Sequence, residues 1–128
     1  MRILFISALL LFSIVLNSQT VGIFQNTTES LNGYTLIAPL LATDIYLIDN
    51  CGEVVNSWTN SNYKPGAIVH LLDDGSLLKT CKLSSGSMIA GGSGGRLEQY
   101  SWGDTLIWAY DIDSPTHRQH HDVTVLPN

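Results

Sequence analysis

Past residue 33 the apolar positions never recur at the i, i+3, i+4 spacing of an amphipathic helix; they come in short alternating or continuous runs cut by Gly, Asn and Asp. That pattern predicts an all-β chain. Eight strands are expected, at Tyr34–Leu40, Asp44–Asp49, Glu53–Trp58, Ala67–Leu72, Ser76–Leu83, Gly95–Ser101, Thr105–Asp111 and His121–Pro127. Tight turns at Asn50-Cys51-Gly52, Asp73-Asp74-Gly75 and Trp102-Gly103-Asp104 join several of them, with glycine supplying the positive φ such turns often need.

The runs repeat. Ile68-Val69-His70-Leu71-Leu72-Asp73-Asp74 aligns with Asp122-Val123-Thr124-Val125-Leu126-Pro127-Asn128 at an offset of 122 − 68 = 54, and Gly52 aligns with Gly103 at 103 − 52 = 51. A period of about fifty residues holding four short strands is the size of one β-propeller blade, a four-stranded antiparallel sheet. The pieces read as strands two to four of a first blade, a complete second blade and the first strand of a third. Propellers close with about four to eight blades, so residues 19–128 are expected to be the N-terminal portion of an incomplete propeller. Asp74, the counterpart of Asn128, is followed by Gly75 and a second strand, so the chain is expected to be cut within a hairpin.

Residues 1–18 change the picture of where the protein goes. One positive residue, Arg2, precedes an apolar run from Ile3 to Leu16, and small Ser18 offers a cleavage position before Gln19. The run is shorter than the about 20 apolar residues a bilayer crossing needs, so it reads as a secretory signal peptide, with no membrane insertion after its cleavage; a retained membrane anchor is the rival reading, with no stop-transfer flank after Gln19 to favour it. Loss of Arg2 takes the formal charge from −5 to 5 − 11 = −6. A mildly acidic exported chain lacks the clustered Lys and Arg that nucleic acid or an anionic membrane requires, and both are set aside as partners. Cys51 and Cys81 either pair as a disulfide, which an exported chain permits, or stand as two separate buried thiols. Asn26-Thr27-Thr28 is a glycosylation sequon that matters only in a eukaryotic secretory route.

The chemistry-bearing residues gather in Asp113-Ser114-Pro115-Thr116-His117-Arg118-Gln119-His120-His121-Asp122. In a propeller this is a link from an outermost strand to the next innermost one, on the face where ligand sites are built on rigidly held loops. Three readings of the histidines stand side by side. Neutral imidazoles and Arg118 could bind and polarise a sulfate or phosphate ester, with Asp122 fixing a tautomer. His117, His120 or His121 with Asp122 could ligate a transition metal, although no His-x-x-x-His pair or cysteine partner supports this. Or they are solvated loop residues. Period-two geometry puts His120 and His121 on opposite strand faces, so both reach one small ligand only where the backbone is irregular. At the 54-residue offset Arg118 pairs with Lys64, and two cations on equivalent loops would suit an anionic ligand. Gly91-Gly92-Ser93-Gly94-Gly95 has the look of a phosphate cradle but leads into a strand without a Gly-Lys-Ser/Thr, so a flexible connection is expected. Asp111-Ile112-Asp113 reads as a solvated strand end in preference to a calcium site. Trp58, Trp102, Trp108 and Tyr110 read as packing between blades.

In their succession, GYTLIAPL, IYLIDNCGEVVNSW, HLLDDGSLL, GGRLEQYSWGDTLIWAYD and HHDVTVLPN resemble the bacterial arylsulfotransferases, from Gly33 to Asn128. The resemblance implies a secreted or periplasmic six-bladed propeller that needs no cofactor. It would move a sulfuryl group from a phenolic sulfate ester to a phenol acceptor through a sulfated histidine. It makes His121 the first active-site candidate, His120 the alternative and Asp122 the support, with Arg118, His117 and Lys64 toward the substrate and no metal. The sulfated histidine and the main oxyanion-binding arginine are expected in later blades, so the chain as given is expected to be inactive. The alternative is a non-catalytic secreted propeller that binds a glycan or protein, since fold resemblance does not carry a site.

Overall fold

The computed structural model describes residue 23, residues 25–84, residue 88 and residues 90–126. The signal peptide expected over residues 1–18 lies outside them, as do Pro127 and Asn128. No helix among the described residues is long and apolar enough to cross a membrane.

Seven strands form: β1 (Thr35–Ile37), β2 (Ile45–Ile48), β3 (Val54–Trp58), β4 (Pro65–Leu71), β5 (Leu77–Lys82), β6 (Gly95–Tyr100) and β7 (Leu106–Asp111). They make two antiparallel meanders, a three-stranded sheet β1-β2-β3 and a four-stranded sheet β4-β5-β6-β7. The described residues are therefore all-β, and the break between sheets falls after Trp58, where the sequence pattern also divides. β1 is shorter than expected because Pro39 has no amide to give a ladder; the chain turns there instead, with Ala42 N–H donating to Pro39 O at 3.2 Å. β4 begins two residues early at Pro65, and its ladder with β5 is irregular between Pro65 and Val69. Thr80 Oγ1 fills that gap. It accepts from Ala67 N–H and Ile68 N–H at 3.1 and 3.2 Å and donates to Ile68 O at 2.9 Å.

Hairpins β2-β3 and β6-β7 are copies in detail. Each carries a register shift, between Leu47 and Ile48 in one and between Gln99 and Tyr100 in the other. Each turn has one residue at positive φ, Gly52 at 83° and Asp104 at 60°. Leu47 to Gln99, Gly52 to Asp104 and Val54 to Leu106 are all 52 positions apart, so the structural period of this hairpin is one more than the glycine alignment gives. The expectation that Gly103 supplies the positive φ is thereby corrected. Asp104 holds it because its carboxylate is anchored from the other sheet: Oδ2 accepts from the amides of Thr59 and Asn60 at 2.8 and 3.1 Å, and Asp is among the residues that tolerate the left-handed region.

The two sheets meet face to face. Ile45, Leu47 and Trp58 from one and Leu77 and Tyr100 from the other form the buried cluster, with Leu36, Ala38 and Val69 at its edge. Trp58 Nε1 donates to Ser101 O at 2.9 Å, and its ring meets Trp102 edge-on with centroids 5.8 Å apart. These two tryptophans do join the sheets as expected. Trp108 and Tyr110 do not: they lie exposed on the outer face of β7, where Trp108 Nε1 donates to Gln99 Oε1.

Beside this cluster the interface is polar and almost dry. Glu98, 2 % exposed, accepts from Arg96 Nε at 2.8 Å, Ser61 Oγ at 2.8 Å, Tyr100 Oη at 3.0 Å and Cys81 Sγ at 3.3 Å. Burial works to raise its pKa, but the Arg96, Ser61, Cys81 and Tyr100 hydrogen bonds outweigh it and hold the carboxyl below its ordinary 4.5. Burial, then the Glu98 carboxylate, push the Cys81 thiol up and the Tyr100 phenol to about 12. Lys79, with no exposed surface, donates from Nζ to Tyr63 O at 2.5 Å and Thr43 O at 3.4 Å, and burial lowers its pKa. Cys81 is a free buried thiol and Cys51 a free exposed one, so the cysteines are separate as in the second reading, but of the two buried thiols it expected only Cys81 is buried.

The eighth expected strand does not form. Residues 122–126 make no ladder, and only His120 bridges, to Ser93. The cause is local: His121 turns to φ 57°, which breaks the extended repeat, and the carbonyl of Val123 is taken by a side chain of β4.

Candidate functional site

The loop after β7 is built from two nested turns. Asp113 bridges Arg118, and Ser114 N–H donates to His117 O at 2.8 Å, closing a small hairpin over Pro115 and Thr116. Ser114 Oγ organises the tip. It accepts from the amides of Thr116 and His117 at 3.2 and 3.1 Å and lies 2.8 Å from His117 Nδ1. His117 is therefore bonded within its own turn.

Arg118, expected to face an anion, instead clamps the base of this hairpin. Nε and Nη2 donate to the two oxygens of Asp113 at 2.7 and 2.8 Å, and Nη1 reaches Leu83 O at 3.4 Å. Its side chain is 4 % exposed. The Arg118 hydrogen bonds hold Asp113 below the ordinary carboxylate range. Asp111 pairs separately with Arg96 Nη1 at 2.7 Å, so the two carboxylates expected as a solvated strand end each answer a guanidinium. Lys64 is exposed and lines a different cleft, of about 430 Å³, together with Lys82 and Tyr63.

The glycine run is a ledge for the histidines. His121 N–H donates to Gly92 O at 2.8 Å, Gly94 N–H to Gln119 O at 3.0 Å, and Gly95 N–H to Gln119 Oε1 at 3.2 Å. The expected flexible connection is thus bonded along its length to the loop. The glycines are required by proximity: a Cβ on Gly92 would overlap the His121 imidazole, and Gly92 also sits at φ 78°. Gly92→Ala is expected to dislodge His121 and to cost about 1–3 kcal/mol from backbone strain and overlap together, read as a lowered urea midpoint.

His121 and His120 face each other because of the positive φ, which is the irregularity that strict alternation forbids. Their rings meet edge-on, centroids 4.1 Å apart, with Nδ1 to Nδ1 at 2.7 Å, and His120 Nε2 lies 2.6 Å from Gly91 O. The carbonyl can only accept, so His120 Nε2 carries the hydrogen. A neutral His120 then has a lone pair on Nδ1, and His121 must donate to it from its own Nδ1. This leaves His121 Nε2 with a lone pair on an exposed residue, beside Gly92, and no described residue hydrogen-bonds to it. The chain Gly91 O, His120, His121 therefore fixes the orientation of the His121 ring and leaves its Nε2 lone pair uncommitted to any described residue.

Asp122 does not support His121. Its Oδ1 accepts from Val123 N–H at 2.6 Å and lies 3.3 Å from Nε2 of His70, on β4; the same nitrogen is 3.1 Å from Val123 O. His70 was not among the residues expected here, although it sits in the inner-strand run that aligns with residues 122–128. Among the described residues no group of three or more His, Cys, Asp or Glu is arranged to hold a metal ion. No protein-family model, curated protein or solved structure matches the chain.

Proposed function

We propose that the chain is part of an arylsulfotransferase-like propeller that moves a sulfuryl group from a phenolic sulfate ester to a phenol. The observation that carries the reading is the His120–His121 relay, set on a loop whose HHDVTVLPN sequence resembles that family. A histidine with its Nδ1 hydrogen committed to an acceptor and its Nε2 lone pair uncommitted is suited to proton transfer with a phenol. In the forward transfer the S–O bond of the donor ester breaks, the aryl oxygen departs as phenolate, and the sulfuryl sulfur bonds to a histidine nitrogen. The acceptor phenol then loses its proton to a base and attacks sulfur, and the N–S bond breaks. His121 is assigned the proton at the phenol oxygen, and its imidazolium form is stabilised by His120, which passes hydrogen bonding on to Gly91 O.

The second reading, a non-catalytic secreted propeller with a glycan or protein ligand, is favoured by Arg118, whose guanidinium is spent on Asp113. The test is to express the protein from its complete reading frame and supply a chromogenic aryl sulfate with and without a phenol. Phenol-dependent release of the chromophore, with sulfate appearing on the acceptor, supports transfer; no turnover with any phenol supports the binding reading.

A further inference from the structure

His121 holds a left-handed conformation, uncommon for a residue other than glycine although histidine adopts it more readily than most, and its surroundings hold it there from both sides. On its N-terminal side the glycine ledge does this, through Gly92 O and the Gly91 O to His120 bond. On its C-terminal side Gln119 Nε2 donates to Asp122 O at 3.2 Å within the loop, and from another element the side chain of His70 reaches residues 122 and 123. His70 Nε2 lies 3.1 Å from Val123 O and 3.3 Å from Asp122 Oδ1. Because Val123 O can only accept, this nitrogen carries the hydrogen and bridges both groups. The next two residues after His121 are thereby fixed to β4, while Asp122 N–H donates back to His120 O at 2.9 Å.

We infer that His70 is the positioning residue for His121: it pins residues 122 and 123 to β4 so that His121 keeps its left-handed turn, its Nδ1 contact with His120 and an uncommitted Nε2. The inference rests on the proposed role of His121 for its functional meaning, but the geometry it asserts is readable without any turnover. His70 touches neither of the two rings in the relay, and acts through the backbone between them.

Diethyl pyrocarbonate, which acylates an unprotonated imidazole nitrogen, reads that geometry directly. In the wild-type protein His121 Nε2 has no hydrogen bond to a described residue while both nitrogens of His120 are engaged, so fragment-resolved mass spectrometry is expected to find His121 modified ahead of His120. His70→Leu fills similar space without a donor, and His70→Asn is polar but too short to span to Val123 O; in both the preference is expected to be lost. His70→Gln, whose amide can donate to Val123 O, is expected to restore it. Cys81, buried and free, monitors folding in the same samples by staying closed to a thiol reagent. An unchanged His121 preference in a folded Leu or Asn variant, or failure of the Gln variant to restore it, overturns the assignment. If aryl-sulfate transfer is absent while the preference follows the donor at position 70, the positioning stands and the transferase reading falls.

Discussion

Glu98→Ala is expected to lower stability by about 3–5 kcal/mol, measured as a shift in urea midpoint, because it removes the buried side of an ion pair, leaves Arg96 with Asp111 alone and takes the shared acceptor from the buried Ser61, Tyr100 and Cys81 groups. Arg96, Ser61, Cys81 and Tyr100 all donate to this one carboxylate, and Ser61 belongs to the segment joining the two sheets. The loss therefore reaches beyond one contact and loosens the face-to-face packing. Glu98→Gln keeps an oxygen for Ser61 and Tyr100 but sets an amide against Arg96, so a smaller loss is expected. The pH dependence follows from the direction of the shift. Glu98 in the folded chain stays ionised below its ordinary 4.5, so its contribution is fully present above that value and is lost as pH falls through the folded pKa. The acid limb of the stability profile is expected to flatten in Glu98→Gln.

The largest functional effect is expected at His121. His121→Ala should lower aryl-sulfate transfer by about 10²–10⁴-fold, the range for losing a positioned general acid or base. His120→Ala should cost less, since it removes the acceptor that orients His121 and leaves the basic nitrogen in place. The two effects should not add, because the rings act as one chain from Gly91 O outward. An equal loss in both variants that simply adds in the double variant would argue for two independent roles.

The sheets were legible because their residues alternate under hydrophobic control: Ile45, Leu47, Leu77 and Tyr100 fall on the faces that period two assigns them. What was not legible depends on partners distant in sequence. Lys79 and Glu98 look like ordinary solvated strand positions, and only the docking of Thr43, Ser61 and Tyr63 makes them interior. The same holds at the loop. Alternation separates His120 from His121, whereas the bonds to Gly91 and Gly92 pay for a left-handed residue that brings them together. Arg118 was expected to face an anion and Asp122 to support His121, yet their partners are Asp113 and His70. Composition names a charged residue; it does not say which neighbour reaches it first.

The measurement that bears most directly on the account is a two-step one on the protein expressed from its complete reading frame. The protein is mixed with an aryl sulfate alone, its peptides are analysed for a sulfuryl group on histidine, and a phenol is then added. The account predicts release of one phenol per active molecule, a sulfated histidine, and loss of that label as the new aryl sulfate forms. Phenol binding or aryl-sulfate binding with no label and no transfer would contradict it and leave the His120–His121 loop as part of a recognition surface.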